Sequence, residues 1–178
     1  MSPASVLQFW FADLSPKDWF RKSEELDRRI AVEFGGLHQS AAMGELWAWR
    51  DTPEGALAEI IVLDQFSRNI HRHDARAFAC DGIALTCAQE ALRRGYDRNM
   101  SLPKKSFMYM PFMHSESKSI HEVAVKLFSI PGLESNLDYE LKHKEIIDRF
   151  GRYPHRNGIL GRESTPEEIE FIQSHPGF

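Results

Sequence analysis

Three stretches of this 178-residue chain set ionisable side chains beside apolar ones. The first is 63–70. Asp64, Arg68 and Asn69 follow the apolar run Ala56-Leu57-Ala58-Glu59-Ile60-Ile61-Val62-Leu63, in which only Glu59 is charged. Leu57, Ile61, Asp64 and Arg68 share one helical stripe through their 4, 3, 4 spacing. An isolated charge on an inward face is costly, so Asp64 and Arg68 must pair. Such a pair either pins helix packing or floors a polar pocket. Arg72 and Arg76 extend the basic side, with His71 and His73 among them.

The second stretch is Tyr109-Met110-Pro111-Phe112-Met113-His114-Ser115-Glu116. Its apolar part is expected to turn at Pro111. Ser115 suits the cap of a helix starting near residue 117, and Glu116 suits that helix's positive end. Capping gives no reason for His114. Imidazole ordinarily titrates near about 6.5, which suits acid or base work at neutral pH.

The third stretch, 149–162, holds Arg149, Arg152, Arg156 and Arg162 with His155, Asn157, three glycines and Pro154, and no carboxylate. Several arginine forks in one loop imply an anion. The plain alternative pairs them with Glu163, Glu167, Glu168 and Glu170 just downstream. The combined expectation is one polar pocket for a small anionic molecule. Asp64, Arg68, Asn69, Glu116, Arg149, Arg152, Arg156, Asn157 and Arg162 are its binding candidates. His114 or His155 would act as acid or base, oriented by Asp64 or Glu116. The residues do not say whether a reaction takes place.

The elements that must position these groups read as all-α. Val and Thr total 8, against 15 Ala and 15 Leu, a balance that favours helices over strands. Helices are expected near 3–12, 23–34, 36–49, 53–69, 74–94, 117–129, 136–150 and 166–174, with a further turn at 103–109. Thr52-Pro53-Glu54 and Thr165-Pro166-Glu167-Glu168 carry N-cap signals, and Gly95 and Gly151 suit C-caps. The six alanines between residues 75 and 91 allow close helix contact. Tyr139, His143, Ile146 and Phe150 form a further stripe. No linker or repeat divides residues 1–178, so one domain is expected.

Composition removes other classes. Hydrophobic residues at 42% and charged residues at 27% are globular values. No apolar run reaches the roughly 18–20 residues needed to cross a bilayer, so no membrane role is expected. The first 14 residues lack a basic region and carry Asp13, a poor signal peptide; the cytoplasm is expected. Cys80 and Cys87 fit buried apolar positions better than a redox pair, and two cysteines make no structural zinc site. His114-x-Glu116 occurs in zinc deaminases, but the Pro-Cys-x-x-Cys half is missing. No nucleotide-loop, nucleophile-elbow or zinc-protease motif is present, and neither cofactor nor metal is expected. The net charge of −4 argues against nucleic acid.

Taken together, 63–69, 109–116, 149–157 and 160–165 resemble the bacterial family of domain of unknown function 924 (DUF924). The resemblance runs from Val6-Leu7-Gln8-Phe9-Trp10 to the helix after Thr165. It implies an all-α fold like a tetratricopeptide (TPR-like) superhelix of about eight helices without readable repeats, and no established reaction. Ser67 stands where the family usually has Pro, and His121 where Gln is common. Two other functions remain open: a helical module binding a peptide or protein partner, and a purely structural polar network.

Overall fold

The computed structural model describes residues 1–175, and these form α-helices, short 3-10 and π turns and loops, with no strand among them. The chain begins with α1 (Pro3–Gln8), capped by Ser2 and extended by a π turn at Phe9–Asp13. Helix α2 (Glu24–Ala42) follows, capped by Ser23 with Glu24, Glu25 and Asp27 in its first turn. A break was expected at Gly35-Gly36, but α2 runs straight through. Its buried stripe Leu26, Ile30, Phe34, His38 and Ala41 continues across both glycines. Packing on that stripe outweighs a cost of about 1 kcal/mol per glycine. The expected helix 36–49 therefore ends at Ala42, and only a 3-10 turn, Trp47–Asp51, follows.

The central element begins at the Thr52 cap, whose hydroxyl accepts from the Gly55 N–H at 3.1 Å. It comprises α3 (Pro53–Ile61), a π turn (Val62–Phe66) and α4 (Ser67–Ile70). All of residues 55–67 are buried, because α3 lies between α1, α5 (Asp81–Arg93) and α6 (Leu102–Met113) while α2 covers the π turn and α4. Ser67, unlike a proline, keeps its N–H, and the helical path continues to Ile70. Phe9, Trp10, Phe34, Phe66 and Phe107 make edge and tilted ring contacts at the centre of the core, 4.8–6.0 Å between centroids.

The segment expected as one helix, 74–94, is a 3-10 turn (Ala75–Phe78) followed by α5, whose Ala84, Cys87, Ala88 and Ala91 are buried. The turn expected at 103–109 is all of α6, which passes through Pro111 rather than stopping there. Residues 106–113 are all buried, so packing holds the helix despite the missing N–H. Helix α7 (Lys118–Phe128) packs on α6 and on α8 (Glu134–Phe150). The stripe of α8 is displaced from expectation. Ile146 is buried as expected, but Tyr139 is 60% exposed, and Glu140 and Ile147 point inward beside Ile146. Glu140 meets His121 of α7 at 2.7 Å, both fully buried. Gly151 ends α8 at φ +70°. Helix α9 (Pro166–Ser174) opens with the expected capping box. No helix among the described residues is long and apolar enough to cross a membrane.

Candidate functional site

A cleft of about 620 Å³ opens between the 14–23 loop, the π turn with α4, the end of α6 and the start of α8. Its size suits a small organic ligand. Arg21, Arg68 and Arg72 line it, and among the described residues no Asp or Glu does. Trp19, Phe20, Met110, Met113 and Tyr139 supply apolar wall, and Gln65, Asn69, His114, Ser135, Asn136 and His143 supply further polar groups.

His114 stands at the C-terminal end of α6, where its N–H bonds to the Met110 carbonyl. Its Nδ1 lies 2.7 Å from Oδ1 of Asp64, a carboxylate with 1% exposure. An anionic acceptor selects the tautomer with the proton on Nδ1. Nε2 then carries a lone pair and is the nitrogen available to the cleft. Burial works to raise the Asp64 carboxyl, but Arg68 and His114 overcome it and hold it well below the usual carboxylate range. Gln65 donates to the other oxygen, Oδ2, at 2.6 Å.

The pair belongs to a closed ring of interactions. Arg68 approaches Asp64 at 3.2 Å and grips Asp81 with both terminal nitrogens, at 2.9 and 3.1 Å. Arg156 donates to the same Asp81 at 3.1 Å and to the His114 carbonyl oxygen at 3.1 Å. The ring therefore runs His114, Asp64, Arg68, Asp81, Arg156 and back to His114. Four remote segments meet in it: the π turn with α4, the first residue of α5, the end of α6 and the 3-10 turn Pro154–Arg156. Arg156 is 6% exposed and stacks on Phe78 and Tyr153 at 4.5 and 4.6 Å. Burial and the charge of Arg68 pull its pKa below the ordinary arginine value.

The expected site residues thus divide. Arg68, Asn69 and His114 line the cleft, with Asp64 directly behind His114. Arg156 lies behind the cleft wall, not in it. Arg162 is bidentate to Glu116, which also accepts from the Tyr153 N–H. Burial would raise the Glu116 carboxyl, yet those donors pull it down. Glu116 is therefore committed to the 153–162 loop and not to the start of α7, whose cap residue is Ser117 rather than Ser115. Arg152 binds Glu168 through two nitrogens, and Asn157 donates to Ser164 and Glu168. For Arg152 the downstream-glutamate alternative describes the structure. Arg149 is exposed and lies over Phe150 at 4.7 Å. His155 sits 5.5 Å from the Tyr153 ring, and burial pushes its pKa down to about 4.

Asp81, Arg21, Trp19 and Phe20 were not singled out in the sequence, and Tyr139 was read only as part of a helix stripe. Asp81 looks like an ordinary first-turn acid of α5, and nothing local ties it to residues 68 or 156. His143 also lines the cleft, and burial pushes it down to about 3, so it stays uncharged near neutrality. The pairing of His38 Nε2 with Ser67 Oγ at 2.7 Å is no nucleophile site, since Ser67 is fully buried and donates to the Leu63 carbonyl. Cys80 and Cys87 are free and buried. Among the described residues no three His, Cys, Asp or Glu side chains are grouped to hold a metal.

A family model described as bacterial protein of unknown function (DUF924) matches residues 6–176. The chain belongs to the DUF924 family. A solved structure, described as that of a protein of unknown function, ATU0120, from Agrobacterium tumefaciens, is similar at 39% identity. The match covers 97% of each chain with a TM-score of 0.91. No curated protein matches.

The Glu168 anchor in this DUF924 protein has a measurable signature. Glu168 is 2% exposed and accepts from Arg152, Asn157 and the Thr165 N–H. The Arg152 hydrogen bonds, against a smaller opposing effect of burial, lower it from 4.5 to about 2. A carboxylate whose folded pKa is depressed stabilises fully above its unfolded value, and that stability is lost as pH falls through the folded one. Glu168→Gln is expected to cost about 2 kcal/mol at pH 7, after allowance for the partly exposed Arg152. The difference should shrink below pH 4.5 and vanish near pH 2. Urea denaturation of both proteins across this range checks it; a pH-independent difference would refute the linkage.

Proposed function

We propose that this DUF924 protein binds a small organic anion in the cleft beside His114, and that Nε2 of His114 accepts a proton from the bound molecule or from a water next to it. One observation carries the reading: three guanidiniums and no carboxylate line a cleft around an imidazole held by a buried aspartate. Each arginine is paired with an acid that is not among the lining residues, Arg21 with Asp18, Arg72 with Asp27 and Arg68 with Asp64 and Asp81. The acids hold the guanidiniums in place, and the surface presented to the cleft is cationic. A general base within hydrogen-bond reach of its proton contributes on the order of 10²–10⁴-fold to a rate.

A thermal-shift screen at constant ionic strength tests binding. Carboxylates and organic phosphates are expected to raise Tm, and matched amides and amines are not. A ligand present at 100 times its Kd stabilises by about 2.7 kcal/mol, a shift of roughly 5–10 °C in a chain this long. Arg72→Gln should abolish the shift. Equal shifts from neutral and anionic compounds would overturn the proposal.

A further inference from the structure

The aromatic walls of the cleft narrow the anion further. Phe20 and Tyr139 line it from opposite elements, the 14–23 loop and α8, and are 66% and 60% exposed. Large rings left open to solvent inside a concave site favour an apolar occupant. They are not loose. Phe20 lies parallel to the buried Phe107 ring at 6.1 Å with an interplanar angle of 11°. Its neighbour Trp19 is fixed by its indole N–H, which donates to the Trp10 carbonyl at 2.8 Å, and by an edge contact with Phe107 at 4.9 Å. Met110 and Met113 continue the apolar wall with side chains that adapt to a flat ring.

The arginines keep donors for the head group. Asp27 takes Nε and one hydrogen of Nη2 on Arg72, which leaves the second Nη2 hydrogen and both on Nη1. Arg68 gives its terminal nitrogens to Asp81 and to the Asp64 carboxylate and carbonyl, which leaves Nε. Arg21 gives Nη2 to Asp18. The arginines therefore set the charge of the head group, and the aromatic walls set the body of the ligand.

We propose, on the reading of the cleft as an anion site, that its ligand is an organic anion bearing an aromatic ring. The anionic head lies toward the arginines and the ring lies against Phe20 and Tyr139.

Isothermal titration of the full chain with 3-phenylpropionate, acetate, inorganic phosphate and benzyl alcohol at one ionic strength decides the matter. 3-Phenylpropionate is expected to bind at least about tenfold more tightly than acetate or phosphate, the equivalent of one well-buried aromatic contact. Benzyl alcohol should bind weakly. Phe20→Ala and Tyr139→Ala should each weaken 3-phenylpropionate roughly five- to tenfold and leave acetate unchanged. Both side chains are mostly exposed, so Tm should hardly move. Phosphate or acetate binding as tightly as 3-phenylpropionate would overturn the aromatic ring and leave the anion site standing. Benzyl alcohol binding as tightly as 3-phenylpropionate would overturn both, and so would binding by none of the four.

Discussion

Asp81→Asn is expected to lower the unfolding free energy by about 3–5 kcal/mol, the cost of removing one partner from a buried ion pair. Asp81 neutralises two guanidiniums at once, Arg68 with two bonds and Arg156 with one. Without its charge, Arg68 and Arg156 face each other with Asp64 as the remaining acid of the ring. Arg156 cannot turn to water, because it is 6% exposed between the Phe78 and Tyr153 rings. Its pKa is already pulled down by burial and by Arg68, the direction expected of a cation that is hard to keep charged. Native stability is only about 5–15 kcal/mol, so the loss is a large share of the whole. Urea unfolding of both proteins at pH 7 measures it. A loss below about 1 kcal/mol would mean that water screens the ring, as at an ordinary surface pair.

The second large effect concerns function. Asp64→Asn should abolish the preference for the Nδ1–H tautomer of His114, because a side-chain amide can donate to Nδ1 as readily as it accepts from it. The lone pair then moves to Nδ1 in part of the molecules, and Nε2 carries a proton toward the cleft. Any step that uses Nε2 as base should slow by on the order of 10²–10⁴-fold. Imidazole ¹⁵N spectra report the tautomer directly, and carbethoxylation of Nε2 by diethylpyrocarbonate reports its lone pair. Wild-type protein should show a protonated Nδ1 and rapid modification at His114; the variant should show mixed signals and slow modification. Unchanged spectra would mean that Asp64 does not orient the ring. Asp64→Asn should also blunt the loss of stability in acid. The Asp64 carboxyl is held below its usual range, so its contribution is full above its unfolded value near 3.8 and fades as pH falls below it.

Much of the path to these residues was legible in the chain. The caps at Thr52 and Thr165 and the glycine stops at 95 and 151 act through their own few residues, and the structure shows each in place. The need for Asp64 and Arg68 to pair followed from burial alone, and they do pair. Local rules misjudged the points where packing overrides propensity. Gly35-Gly36 was expected to end a helix and Pro111 to turn one, yet both sit inside helices whose inward faces are continuous. The π turn at Val62–Phe66 was not visible either, since a regular helical spacing was enough to put Asp64 and Arg68 on one side.

The arginine-rich loop marks the division most clearly. Its positive charge is a property of composition, which left a ligand anion and the downstream glutamates both open as partners. Which anion each arginine meets is decided by the fold. Arg152 meets Glu168, Arg162 meets Glu116 and Arg156 meets Asp81, so these three serve as internal fasteners. The cleft is lined instead by Arg21, Arg68 and Arg72. The sequence by itself determined the all-α class, the helix ends and the residues whose charges had to be compensated, because those depend on near neighbours and on burial. Only the tertiary structure decided the partners and the cleft. A guanidinium binds whichever carboxylate lies within about 3 Å, and residues 68, 81, 114 and 156 come that close only when four separate elements pack together.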